Sequence, residues 1–486
     1  MKRIVSLAAA VLLLLCGPSA QQKEPVDYVN PYVGNISHLL VPTFATIQLP
    51  NSLMRIYPAR NDYTTELVNG LPVVVTNHRE RSAFSFSPTQ DPNLKAVMPA
   101  NWDNEVITPY SMDIEMADNT MRAQLAVSHL SAIYDITFYE PDRAPYIVIT
   151  SGKGELKVEN GVVTGYQDIW GSANVYICAE TDVKPVEVGV VGNGSINAAS
   201  TTVKGKDVSI AMQFPKGTSK VSLRYGISLI SDAQAKANLH REQGETFDRE
   251  KIERMGRDEW NKALSQIKVD GGTDDQKTVL YTSYYRTFER PVCLSEDGRY
   301  FSAFDQKVHD DGGVPFYTDD WIWDTYRAAH PLRALIEPQK EEDIVESYLR
   351  MAEQMGTNWM PTFPEMTGDT RRMNSNHGVA MVADAMVKGL KVDVERGYEY
   401  CKKGITEKTL APWCGNKRGY IDDYYWKHGY IPALRKGEKE TDPNVSSFEK
   451  RQPVAVTLGT AYDTWCLSVL ADKLGKKDEA KYFLDF

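Results

Sequence analysis

The stretch "PFYTDDWIWDTYRAAHPL" (315–332) sets Asp319, Asp320 and Asp324 among two tryptophans and two tyrosines. Ionised carboxylates are costly in apolar surroundings unless something pairs with them. Either they hold a helix junction together, or they face a cavity that takes a polar ligand. If residues 320–330 are helical, Asp320 and Asp324 fall on one face at i and i+4, with Arg327 one turn on. That spacing also suits an acidic N-cap with an Asp324–Arg327 ion pair. A second stretch, "PTFPEMTGDTRRMNSNHGVAMVADA" (361–385), reads as a loop carrying Asp369, followed by a helix opened by His377. His377 is either a helix cap or a site residue. In a third, "KRGYIDDYYWKHGYIPAL" (417–434), Asp422 and Asp423 read as a solvated acidic loop tip.

No GxSxG elbow, HExxH helix, phosphate loop or dinucleotide fingerprint occurs. What remains is glycosidic cleavage, in which carboxylates flank the bond and aromatic rings hold the sugar. Composition agrees: 9 Trp and 26 Tyr stand against 14 Phe. Tyr and Trp offer a flat apolar face with a hydrogen-bonding edge, as a sugar ring requires of its site. A net charge of −10 argues against nucleic acid.

These residues must be carried by a long, soluble-type chain of 486 residues, 42% apolar and 25% charged. Residues 1–20 read as a signal peptide: Lys2 and Arg3, an apolar run too short to span a bilayer, then small residues before cleavage near Ala20. Lipidation at Cys16 is the alternative, and either way the protein is exported, periplasmic or extracellular. No other run reads as a transmembrane segment. Five cysteines remain after Cys16, without metal-type spacing, and Cys401–Cys414 is the one sequence-local disulfide candidate.

Residues 21–230 alternate as short strands broken by turns such as Asn160-Gly161, which predicts an antiparallel β-sandwich. Residues 231–273 switch to charged helical periodicity, with Ser231 or Asp232 as N-cap, and read as a helical linker. Residues 274–486 are mainly helical, and helix–loop–helix units with aromatic loops suggest an α/α toroid. The chain stops at "KKDEAKYFLDF", inside a helical pattern, as a fragment of a longer protein would.

Several motifs resemble glycoside hydrolase family 92, secreted calcium-dependent α-mannosidases. They are "VDYVNPYVGN" (26–35), "LYTSYYRTFERP" (280–291), "YTDDWIWDTYRAAHPL", the loop from Asp369 to His377, "HGYIP" (428–432) and "TAYDTWCLSVLADKLGKKDEAKYF" (460–483). The resemblance implies a β-sandwich joined to an (α/α)6 barrel, with the site between them. It implies inverting hydrolysis of terminal α-mannosides, with calcium distorting the sugar and Asp324 bonding sugar hydroxyls. Trp323, Arg327, Asp369, His377 and His78 are the further substrate-binding candidates. The sequence departs from the family in 36–58, in 70–86 where only His78 is kept, and at Gly459 and Thr464. The family's general acid, base and calcium ligands would lie beyond Phe486. The chain as given is therefore expected to be inactive, and the full-length protein to be a glycosidase. A glycan-binding homologue that does not cleave is the alternative.

Overall fold

The structure is a computed structural model that describes residues 23–34, 44–57, 67–77, 81–118, 120–373 and 376–486. The predicted signal peptide, Cys16 and His78 lie outside them. The first half is β, as predicted, and the second is helical. Among the described residues fourteen strands pair into one continuous antiparallel sheet. Burial alternates along strands such as Ser111–Met116, so one face is apolar and turned inward.

The sheet forks at strand Tyr146–Glu159. Its first residues pair with Ser85–Thr89, and Gly154–Glu159 pair instead with Val162–Gln167. Strand Thr202–Gln213 follows nearly its whole length. Past the fork the sheet is two layers packed face to face. Tyr134 and Tyr225 cross between the layers, donating hydrogen bonds to the Pro72 and Val73 carbonyls at 2.8 Å each. Both tyrosines are fully buried, and these carbonyls meet the partner requirement of a buried phenol.

Eleven helices follow among the described residues: α1 (Asp232–Gln243), α2 (Arg249–Leu264), α3 (Asp274–Arg286), α4 (Ile322–Thr325), α5 (Ala329–Ile336), α6 (Pro338–Gln354), α7 (Gly378–Val387), α8 (Val394–Thr406), α9 (Tyr420–His428), α10 (Pro453–Lys473) and α11 (Lys477–Leu484). The Ser231 hydroxyl accepts from the Gln234 amide at 3.1 Å and caps α1, as the sequence predicts. Helix α7 is buried nearly all round, which explains why its sequence is apolar on every face. Helix α10 has the length and apolarity of a membrane span, which the sequence reading did not single out. Here it gives Cys466, Leu467, Leu470 and Ala471 to the helical core.

The halves share one core. Trp260, Tyr285, Phe288 and Phe316 pack in the same apolar cluster as Phe86 and Tyr225 of the sandwich. The segment 44–57 runs along the seam, where Trp260 Nε1 donates to the Gln48 carbonyl at 2.7 Å and Asn51 Nδ2 to Pro291 at 2.8 Å. Its apolar character thus belongs to the joint between the halves. Two smaller expectations are corrected. All five described cysteines are free, so Cys401 and Cys414 form no bridge. Asp422 is buried and accepts from the Gly419 and Leu410 amides at 2.7 Å each, so it fastens the start of α9 and is no loop tip.

Candidate carbohydrate site

The three aspartates of 315–332 have three different environments. Helix α4 is only four residues long and starts after Asp320, so Asp320 and Asp324 do not share a helical face. Asp319 and Asp320 are buried, whereas Asp324 is exposed.

Asp319 sits in the left-handed region at φ 59°. It accepts from Arg55 at 3.0 Å and from Arg290, clamping the sandwich segment to the helical half. The Arg290 guanidinium also lies 3.9 Å from the Trp321 ring centre. Burial depresses its pKa, against the pull of Asp319.

Asp320 anchors a buried network. It accepts from Thr325 at 2.9 Å, His330 Nε2 at 2.7 Å and Tyr348 at 2.9 Å. His330 Nδ1 meets Glu341 at 2.9 Å, and Arg333 meets the other Glu341 oxygen at 3.3 Å. Both ring nitrogens face carboxylates, so both must donate and the ring is an imidazolium. Two cations then balance two anions away from water. Burial opposes the charge on His330, but Glu341 and Asp320 outweigh it and raise its pKa to about 9. The same pairing lowers that of Asp320, against the opposite push of burial.

A stability prediction follows with a definite sign. A raised folded-state pKa stabilises fully below the unfolded value of 6.5, and that contribution is lost as pH rises through about 9. Lys408 acts oppositely: burial lowers its pKa from 10.5 to about 8, so stability rises with pH between those values. In a Lys408→Met background the urea midpoint should therefore fall from pH 6.5 to 9, with the His330 ring titrating near the top of that range. A flat midpoint, or a neutral His330 ring at pH 7.5 by NMR, would contradict the network.

The exposed side of the same stretch carries an aromatic face. Trp323 stacks on His377 with ring centres 5.4 Å apart, and Tyr326 lies 4.2 Å from His377. Tyr462 of α10 continues the face, 5.9 Å from Tyr326 and stacked on Trp465 at 6.0 Å. His377 makes no side-chain cap for α7. Its Nδ1 instead pairs with Asp463 at 2.6 Å. Asp463 is fully buried, and burial raises its pKa against the opposing His377. The pairing fixes the His377 ring plane beneath Trp323. Arg327 is exposed and donates from Nε to the Tyr326 hydroxyl at 3.0 Å.

Trp323 and His377 thus come together, Arg327 joins them through Tyr326, Asp324 is exposed next to Trp323 in the chain, and Asp369 does not join them. Its carboxylate accepts from the Phe363, Arg371 and Thr362 amides at 2.8, 3.2 and 3.3 Å, and its side chain is 3% exposed. It braces the 361–373 loop and lines a recess of about 190 Å³ with Trp359, Arg371 and Lys408. Tyr462 and Asp463 complete the surroundings of His377, and the sequence reading left both unassigned. The "TAYDTW" string holds both, yet nothing local tells that α10 returns to His377. Among the described residues no three His, Cys, Asp or Glu side chains are placed to hold a metal ion.

An antiparallel sheet domain thus shares a core with a helical domain that carries an aromatic face. The Glycosyl hydrolase family 92 N-terminal domain matches residues 28–228, and the family's catalytic domain matches residues 234–486. The chain belongs to glycosyl hydrolase family 92. It is similar to an inverting mannosidase of this family from Bacteroides thetaiotaomicron, with 26% identity and a TM-score of 0.81 over 96% of this chain and 65% of that one. An α-mannosidase from the same organism, solved with mannoimidazole, shares the fold at 24% identity and a TM-score of 0.81, over 95% of this chain and 63% of that one. An uncharacterized secreted glycosidase of Arthroderma benhamiae is 25% identical over 55% of this chain and 30% of its own length. The chain thus spans less than two thirds of these relatives.

Proposed function

We propose that the protein of which this chain is part is an exported glycosidase that hydrolyses terminal α-mannosidic bonds of glycans with inversion. The observation that carries this is an exposed carboxylate, Asp324, next in the chain to Trp323 of a fixed aromatic face, in a member of a glycoside hydrolase family. A pyranose laid on Trp323 and Tyr462 would stack its C–H face on the rings and turn its hydroxyls to Asp324 and Arg327. Inversion requires an acid and a base with a water between them. Neither role is assigned to a described residue, nor is a calcium ligand. The similarity of the chain to an inverting mannosidase supports the reaction type, and the secreted glycosidase among its relatives supports export.

The test is Asp324→Ala in the full-length protein, assayed on aryl α-mannosides with calcium and with a chelator. Loss of a charge-assisted hydrogen bond to the sugar should lower kcat/KM by about 10- to 100-fold. Chelation should remove turnover from the wild type. Unchanged kcat/KM would exclude Asp324 from the site. Sugar binding without turnover in the wild type would favour a non-cleaving glycan binder.

A further inference from the structure

The fork in the sheet leaves a cleft of about 350 Å³ between the strands Leu71–Asn77 and Arg81–Thr89 on one side and Val162–Ile169 on the other. It shares no residue with the Asp324 face. Gln167 closes its floor: Oε1 accepts from the Phe84 and Gly152 amides at 2.8 and 2.9 Å, and Nε2 donates to the Ser82 carbonyl at 3.3 Å. The Gln167 carboxamide therefore ties the strands together across the floor, and the cleft is a fixed feature.

Three features of its wall call for a polar ligand with an apolar face. Ser82 Oγ is enclosed and has no hydrogen-bond partner among the described residues, which native interiors seldom allow. Phe84 and Trp170 both line the cleft, and both hold left-handed backbone, at φ 60° and 54°. Bulky residues rarely adopt it, and such strain clusters at binding sites. The Trp170 side chain is nonetheless 43% exposed at the lip, with Asp168 two residues before it.

The wall offers a polyhydroxyl ring an indole, a hydroxyl and a carboxylate, and Asp168 is the one acid among the described lining residues. That carboxylate accepts from the Gly171 amide at 2.9 Å and lies 3.4 Å from the Lys153 ammonium, so its charge is already balanced and an uncharged ligand suits it. Asp168 also borders a second recess of about 290 Å³, next to Tyr176 and Phe301. The turn after Asp168 is thus a ridge with a hollow on each side, a shape suited to an oligosaccharide more than to a single sugar.

We propose that this fork is a second saccharide-binding site, taking a neutral oligosaccharide with one ring on Trp170 and hydroxyls on Ser82 and Asp168. It would hold a distant part of a glycan while the Asp324 face takes the terminal residue. The inference rests on reading the chain as carbohydrate-binding. Its test is isothermal titration of the whole chain with linear α-mannotriose and with maltotriose, in wild type, Asp324→Ala and Asp324→Ala/Trp170→Ala proteins. Asp324→Ala should keep one binding event per chain. Adding Trp170→Ala should weaken it about tenfold or more, with Trp170→Phe recovering part. Binding abolished by Asp324→Ala alone, unchanged by Trp170→Ala, or missing for both trisaccharides would overturn the second site. Failure of the Asp324 reading looks different: Asp324→Ala would leave the wild-type isotherm intact, and loss would follow Trp170→Ala alone.

Discussion

Asp320→Ala should destabilise the protein by about 3–5 kcal/mol, the cost of leaving a buried charge network without one of its anions. Asp324→Ala, four residues on, should change stability by less than about 0.5 kcal/mol, as for other exposed positions. The contrast follows from burial. Asp320 neutralises His330 and also takes the Thr325 and Tyr348 hydroxyls, and no water can replace it. Asp320→Asn should be milder, because it keeps an acceptor for the hydroxyls, but the imidazolium would lose its nearer counter-charge. Urea unfolding of the three variants at pH 7 measures this. Equal midpoints for Asp320→Ala and Asp324→Ala would refute the division of labour among these carboxylates.

Asp319→Ala should cost a similar amount, about 3–5 kcal/mol, for a different reason. It would leave two guanidiniums, Arg55 and Arg290, facing each other at the seam. It would also force alanine into the left-handed backbone that Asp319 holds, whereas asparagine tolerates that conformation. Removing the facing cation should relieve part of the penalty, so Arg55→Met/Asp319→Ala should cost less than the sum of its parts. Strict additivity in that double-mutant cycle would mean Asp319 does not couple the halves through Arg55. Because the clamp joins the halves, sheet and helices should still unfold together in the wild type.

The fold was legible where periodicity is local. Alternation marked the strands and a 3.6-residue period the helices, and Ser231 marked the turn from one to the other. The fork in the sheet was not legible, because one strand serves two layers and its sequence is a plain alternating run. At the site, the stretch 315–332 stands out for its unusual mixture of acids and aromatics; Trp323 stacks on His377, Arg327 reaches the same face through Tyr326, and Asp324 is exposed next to Trp323 in the chain. The shared face for Asp320 and Asp324 failed because the helix is a single turn, a length that spacing cannot reveal. Between cap and site residue the sequence left His377 open, because the partner of its side chain, Asp463, is 86 residues away. Asp369 looked like a ligand-facing acid in an irregular loop, yet such loops also need an acceptor for their own amides. Long-range pairing decides each of these cases, and no window of sequence contains it.

The most direct measurement of the central claim is a crystal structure with mannoimidazole, the compound bound in a solved relative. The account predicts its ring against Trp323 and Tyr462, with hydroxyls about 2.6–3.0 Å from the Asp324 carboxylate. A ligand bound elsewhere, with Asp324 turned to solvent and the aromatic face bare, would contradict it.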